Sequence, residues 1–342
     1  MKKMWALAVS VCLAMGIAGC GEQAKPEGSV VQKVAESPVK EDFKALTEVK
    51  DGQKNIYAVV KAMNGPYWKE IIRGMKEAGE AEHANVYVGG VLKDGDWEVQ
   101  RDMLKSLESK SVDAVVLGVA DSMRMSESAK ELRDKKTPVI LVDTALNSQD
   151  YDAAYMTNNL MAGGEAAKKM VDMLKAKGVS ENDNITVVMH VSNLSSRTVA
   201  ERLDSTVANW YNVAPANWKI DTKYLINYGD EDTAEKLVYE SLDKVPNLKG
   251  IIACNSMSTT ETVHALMKLG RKDITVMGFD MSDITKEGLA NPDFSIATVK
   301  QNQYRMGYDA VKSALEAANG KTLKERDVDT GITIVDHSNY NK

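Results

Sequence analysis

The chain has 342 residues, 44% of them hydrophobic and 27% charged, a globular composition with enough apolar side chains for two cores. It carries 43 basic and 49 acidic residues, a net charge of −6, and no block of lysine or arginine follows residue 20. That balance excludes the basic footprint of a nucleic-acid binder.

Lys2 and Lys3 precede an apolar run from Met4 to Ala18, which leads into Gly19 and Cys20. The run falls short of the roughly 20 apolar residues that a membrane span needs and has the layout of an export signal. It resembles bacterial lipoprotein signals, in which the cysteine after the small-residue pair becomes the lipidated N-terminus. The expectation is that residues 1–19 are removed and that Cys20 carries the lipid. The mature chain then has 41 basic against 49 acidic residues, a net charge of −8. An ordinary signal peptide cut at an A-x-A-like site is the competing reading. Gly21, in place of an aspartate, favours the outer membrane where an organism has two. Cys12 lies in the removed segment, so Cys254 is left without an internal disulfide partner and reads as a small buried hydrophobe.

Residues 20–52 alternate Glu, Lys, Pro, Gly and Ser with few large apolar side chains, which predicts a disordered tether. From Asn55 onward strands and helices alternate, the signature of parallel sheets covered by helices. The first half predicts strands at Ile56–Lys61, Val86–Gly89, Ala114–Gly118, Val139–Val142 and Ala153–Met156. Between them, one helix carries Trp68, Ile71, Ile72, Met75 and Ala78 on a single face, and another runs from near Asp96 to Ser109. The pattern restarts after Asn158 with a helix presenting Leu160, Gly164, Ala167, Val171 and Leu174. Strands follow at Ile185–Met189, Lys223–Ile226, Ile251–Ala253 and Ile274–Met277, then a helix at Gln303–Ala318 and a last strand at Ile332–Val335. The predicted division is a first lobe from 53–157 plus 302–329 and a second from 158–301 plus 330–342. Crossings near Thr157, Asn302 and Thr330 would join them.

Several apolar strands end in a side chain that can hydrogen-bond: NIYAVVKAMN at Asn64, PVILVD at Asp143, GIIACN at Asn255 and ITVMGFD at Asp280. None ends in a nucleophile. Open α/β sheets bind ligands outside the carboxyl ends of their strands, so polar groups gathered there point to binding rather than chemistry. Asp143, Asn255 and Asp280 could instead cap the helices that follow, and Arg202 could pair on the surface with Glu201 or Asp204. Trp97, Trp210 and Trp218 read as packing residues or surface clamps. The four histidines, His83, His190, His264 and His337, lack metal-ligand spacing, and G-x-S-x-G, H-E-x-x-H and G-x-G-x-x-G are absent. Gly320, Lys321 and Thr322 imitate the end of a P-loop, but they follow a helix and read as its stop. No enzyme, metal or cofactor is expected.

Seven segments carry a family likeness in order: NGPYW at Asn64–Trp68, SVDAVVLGVADS at Ser111–Ser122, TPVILVDTA at Thr137–Ala145, AERLDST at Ala200–Thr206, IIACNSMS at Ile251–Ser258, VMGFD at Val276–Asp280 and IATVKQNQYRMGYDAV at Ile296–Val311. From about residue 53 the chain resembles the periplasmic sugar-binding proteins of ABC importers, in particular the ribose-binding-like group. The resemblance implies an α/β fold of two Rossmann-like lobes with parallel sheets, joined by a three-segment hinge and closing on a monosaccharide (periplasmic binding protein type I). It implies that Tyr67 and Trp68 stack on the sugar ring, that Asp143 and Asp280 accept from its hydroxyls, and that the Arg202 fork and the Asn255 and Gln301 amides reach its oxygens. Asn64, Thr144, Asn158 and Glu231 complete the expected ligand set. Three positions depart from the ribose-type pattern: Gly65 replaces an asparagine, Thr144 an arginine and Glu231 an aromatic. A more acidic cleft, suited to a hexose, a polyol or an amine-bearing sugar, is expected.

The implied role is an exported, lipid-anchored monomer in the periplasm or outside the cell that captures a sugar or polyol and delivers it to an ABC permease. Reporting a furanosyl signal or an osmolyte to a membrane receptor kinase is the alternative. A LacI-type repressor shares the fold but would need a helix-turn-helix where the export signal stands.

Overall fold

The computed structural model describes residues 40–341. The expected signal, Cys20 and residues 20–39 of the expected tether lie outside them. In chain order the first sheet receives β1 (Lys40–Ala45) and β2 (Asn55–Val60), then α1 (Gly65–Ala81), β3 (Asn85–Val91), α2 (Trp97–Ser106), β4 (Ala114–Leu117), α3 (Ser126–Asp134), β5 (Val139–Val142) and β6 (Ala153–Met156). The chain then passes to α4 (Asn159–Ala176), β7 (Ile185–Val191), α5 (Arg197–Val213), β8 (Trp218–Ile226), α6 (Glu231–Lys244), β9 (Leu248–Ala253), α7 (Ser256–Lys268), β10 (Thr275–Phe279), α8 (Asp283–Ala290) and β11 (Ile296–Gln301). It ends with α9 (Gln303–Ala318), β12 (Asp327–Asp329) and β13 (Ile332–Val335).

Two sheets result, in the orders β1-β3-β2-β4-β5-β6-β12 and β13-β11-β10-β9-β7-β8. All neighbours are parallel except β1 with β3 and β13 with β11. Strand alternation sends Ile56, Ala58 and Val60 to a core under α1 and α9, and Tyr57 and Val59 to another under α2 and α3. The second sheet does the same: Met277 and Phe279 face α4 and α5, while Val276 faces α7 and α8. Both faces of each sheet are therefore covered, which explains the nearly continuous apolar runs of β4, β5 and β9.

One expectation is corrected here. Residues 40–52 do not belong to a tether, because β1 pairs antiparallel with β3, and Phe43 meets the edge of Tyr57 at 5.2 Å between ring centroids. Leu46 packs on the first core, and Thr47 and Lys50 bond to the segment at Ala84–Val86. Composition averaged over thirty residues hid these two apolar anchors. In α4, Leu160 is exposed in the first turn, while Ala167, Val171 and Leu174 are buried.

The chain changes sheets after β6, after β11 and between β12 and β13. These three passages are bonded to one another. Thr330 N donates to the Met156 carbonyl at 2.9 Å, Asn302 Nδ2 to the Thr330 carbonyl at 3.4 Å, and Asn158 N to Asp329 Oδ1 at 2.9 Å.

Candidate functional site

The strand ends of both sheets open onto one cavity of about 270 Å³. That is close to the lower end, roughly 300 Å³, of pockets for drug-sized molecules, so it suits a ligand of about one ring. Lys61, Asn64, Tyr67, Trp68, Asp94 and Asp143 line it from the first lobe; Thr198, Arg202, Glu231, Asn255, Asp280 and Gln301 line it from the second.

Asp143 follows β5 and Asp280 follows β10, and both hold left-handed backbone, φ 68° and 70°. This is an uncommon conformation for a residue with a side chain, and such residues concentrate at functional sites. Each amide still bonds to the neighbouring strand, Asp143 N to the Tyr155 carbonyl at 3.0 Å and Asp280 N to the Val299 carbonyl at 2.8 Å. The backbone thus turns each carboxylate out of its sheet into the cavity. Asp280 does not cap α8; Ser282 does, accepting from Thr285 N at 3.1 Å. Asn255 does cap α7, accepting from Ser258 N at 3.3 Å, and lines the cavity as well.

Asp143 accepts from three protein donors, one fewer than a carboxylate can take. Tyr67 Oη donates to Oδ1 at 2.5 Å, while Thr144 Oγ1 at 2.5 Å and the Lys61 ammonium at 3.0 Å share Oδ2. Burial alone would raise its pKa, but Lys61 and these hydrogen bonds outweigh it and hold the carboxyl below the usual range. The same burial and the Asp143 charge push the Tyr67 hydroxyl well above its ordinary value. Asp280 has milder company: Gln301 Nε2 at 2.9 Å and Gln303 Nε2 at 3.1 Å both reach Oδ1. Burial pushes it up to about 7, against the pull of Arg202.

Arg202 is buried, not a surface ion pair; Glu201 pairs with Arg197 instead. The approach of α5 to α4 sets its position, since a Cβ at Gly163 would stand 2.4 Å from the Arg202 carbonyl oxygen. Its guanidinium lies over Phe279 at 4.3 Å and donates to Asn159 Oδ1 at 2.9 Å, the Cys254 carbonyl at 2.8 Å and Gln301 Oε1 at 2.7 Å. Three of its five N–H groups are thus spent on protein, and two remain.

Two expected site residues stand elsewhere. Asn158 is exposed and caps α4, accepting from Met161 N at 3.0 Å, because a helix opening straight after a crossing needs an acceptor there. Its buried neighbour Asn159 is the one that reaches Arg202. Thr144 is buried behind Asp143 and off the cavity wall. Asn64, Tyr67, Trp68, Glu231 and Gln301 do line the cavity.

Several lining residues escaped the sequence reading, among them Lys61, Asp94, Thr198 and Glu261. Lys61, the first residue after β2, is buried and bonds Thr144 Oγ1 at 2.9 Å; its signal was a charge at the very end of an apolar strand. Asp94 Oδ2 accepts from Ser192 Oγ at 3.1 Å and Asn193 Nδ2 at 3.2 Å, and Thr198 Oγ1 reaches the Asp143 carbonyl at 3.1 Å. With Arg197 N bonded to Ser122 Oγ at 3.0 Å, these contacts hold the lobes closed around the cavity. The lining carries five carboxylates (Asp94, Asp143, Glu231, Glu261, Asp280) against two cations (Lys61, Arg202), an acidic excess.

Two α/β lobes whose strand ends face one cavity, lined by charged and apolar side chains, define a cleft-type binding protein. Residues 56–322 match the periplasmic binding protein domain family, and the chain belongs to that family. Among curated relatives, it is 22% identical to a D-apiose import binding protein of Actinobacillus succinogenes, over 84% of this chain and 89% of that protein. It is also 22% identical to a ribose import binding protein of Bacillus subtilis, over 78% and 82%. The fold superposes on a carbohydrate transporter solute-binding protein of Agrobacterium radiobacter in complex with D-arabinose, with TM-score 0.78 and 22% identity, covering 85% of this chain and 97% of that one.

Proposed function

We propose that the protein is an extracytoplasmic solute-binding lipoprotein that captures a monosaccharide or related polyol between its lobes and delivers it to an ABC permease. The observation that carries this reading is the pair of buried carboxylates, one from each lobe, turned into a single cavity of one-ring size. A ligand bridging them holds the lobes together, and the three bonded passages are where the chain would flex on opening. The relatives named for apiose and ribose, and the arabinose-bound structure, support a small sugar. The acidic lining supports a neutral or amine-bearing polyol over a sugar acid.

Titration calorimetry of the mature protein against pentoses, hexoses, polyols, amino sugars and uronic acids tests the reading. Saturable heat with a neutral or amine-bearing compound, lost in Asp280→Asn, is expected. Silence across the panel would remove the carbohydrate role.

A further inference from the structure

His190 is buried in the second lobe and does not line the ligand cavity, yet its ring is tied to one wall of it. Nδ1 lies 3.0 Å from Thr262 Oγ1, and Nε2 lies 3.1 Å from Asn227 Nδ2. Asn227 Oδ1 accepts from the Gly229 amide at 3.0 Å, which fixes the orientation of the side-chain amide. Nδ2 is left to donate, to Ser258 Oγ at 2.9 Å and to the ring. An amide N–H can donate only to an unprotonated ring nitrogen, so Nε2 accepts and Nδ1 carries the proton that goes to Thr262. Burial keeps the imidazole neutral, holding its pKa down to about 3. Asn227, Ser258 and Thr262 are buried as well, so water cannot stand in for a lost partner.

Asn227 follows β8 and opens a turn at the cavity edge. Tyr228 and Gly229 both hold left-handed backbone, φ 54° and 72°, which is uncommon for a tyrosine and must be held by its surroundings. Asn227 N donates to the Val191 carbonyl at 3.0 Å and Tyr228 N to the Ser192 carbonyl at 2.7 Å, so the ends of β7 and β8 are tied together. The first lobe meets this same junction. Asp94 accepts from Ser192 Oγ and Asn193 Nδ2, and a Cβ on Gly229 would stand 3.4 Å from both the Asp94 amide nitrogen and its carbonyl oxygen. Gly229 and, two residues on, Glu231 line the cavity. A chain of contacts therefore runs from the ring through Asn227 and Gly229 to Asp94 on the other lobe.

We propose that His190 is a positioning residue for ligand capture: its Nε2 holds Asn227, and through it the Tyr228–Asp230 turn, in the shape on which the first lobe's Asp94 closes. The ring itself touches no ligand. Its effect on affinity rests on the sugar or polyol reading above, and its hold on the turn does not.

The test uses the mature protein labelled with ¹⁵N, the His190 ring signals being assigned by their loss in His190→Gln. In the ligand-free wild type the proton should sit on Nδ1. A proton on Nε2 would overturn the proposal, because Asn227 could not then donate to it. In His190→Leu the Gly229 amide should exchange with deuterium about 10-fold faster or more, while the Val187 and Ile252 amides inside the sheet keep their rates. An unchanged Gly229 rate would overturn the proposal. His190→Asn, which can reach Thr262 but not Asn227, takes the place of His190→Leu if that variant does not fold. With the sugar or polyol that gives the largest heat, His190→Leu should lose about 10-fold in affinity. His190→Gln, whose amide can accept and donate as the ring does, should recover most of it. Asp94→Ala should weaken binding in the wild type and cost little more in His190→Leu. Fully additive losses would contradict the assignment, since His190 would then act on the fold alone. Absence of heat with every compound counts against the sugar reading alone, and the ring proton and the Gly229 exchange rate then decide the positioning role.

Discussion

Asp143 and Asp280 occupy matching places in the two lobes. Each follows a central parallel strand, adopts left-handed backbone and bonds through its amide to the next strand, yet their surroundings push them in opposite directions. Asp143 is ringed by an ammonium and two hydroxyls and is held ionised below the usual carboxylate range. Asp280 meets amides and a guanidinium already committed elsewhere, and burial lifts it to about 7. The same backbone device can therefore build either a fixed charge or a carboxyl that titrates near neutrality. What decides is the number of donors spent on it before a ligand arrives.

Lys61→Met breaks the first half of this contrast most severely. It leaves Asp143 buried without its cation and should cost about 3–5 kcal/mol of stability in urea unfolding. Asp143→Asn added to that variant should recover a part, because no lone charge then remains. Equal stability of Lys61→Met and wild type would show that the pair is dispensable.

The second half is read through pH. The Asp280 carboxyl binds its proton more tightly folded than unfolded, so its contribution is full below about pH 4, is lost as pH rises towards 7, and changes little above that. His190 is buried neutral, with burial holding it down to about 3, and acts in the opposite sense: its contribution is present above about pH 6.5 and fades as pH falls. The difference between Asp280→Asn and wild type isolates the carboxyl. In urea midpoints that difference should move in favour of the variant by on the order of a few kcal/mol between pH 4 and 7. A flat difference would mean that Asp280 is ionised throughout.

Smaller effects sharpen the picture. Thr198→Ala removes a hydroxyl that joins the second lobe to Asp143 and Thr144, and it should weaken ligand binding by a few-fold, about 1 kcal/mol, in calorimetry. Asn158→Ala should cost about 1 kcal/mol of stability through its lost cap and leave affinity untouched. A large affinity loss in Asn158→Ala would return that residue to the site.

Much of the fold is legible because parallel strands buried on both faces are written as short apolar runs, and a carboxylate or amide at their ends marks the open edge. Asp143, Asn255 and Asp280 are found by that rule. Lys61 follows the same rule one residue past β2 but was absorbed into a strand extended to Asn64. Asn158 shows the converse, since an asparagine at a crossing serves the helix that begins there. Long-range partners leave no local trace: nothing near Asp94 or Thr198 in sequence says that they meet across the cleft. The anchors Phe43 and Leu46 were lost for another reason, since a mean composition cannot see two apolar side chains among charged neighbours.

The most direct test is a crystal structure of the mature protein grown with the compound that gives the largest heat. The expected result is a ligand between the ends of β5 and β10, with a donor at Asp280. Density instead in the separate cavity lined by Leu104, Leu107, Ser128 and Leu132, with the space between Asp143 and Asp280 unchanged, would contradict it.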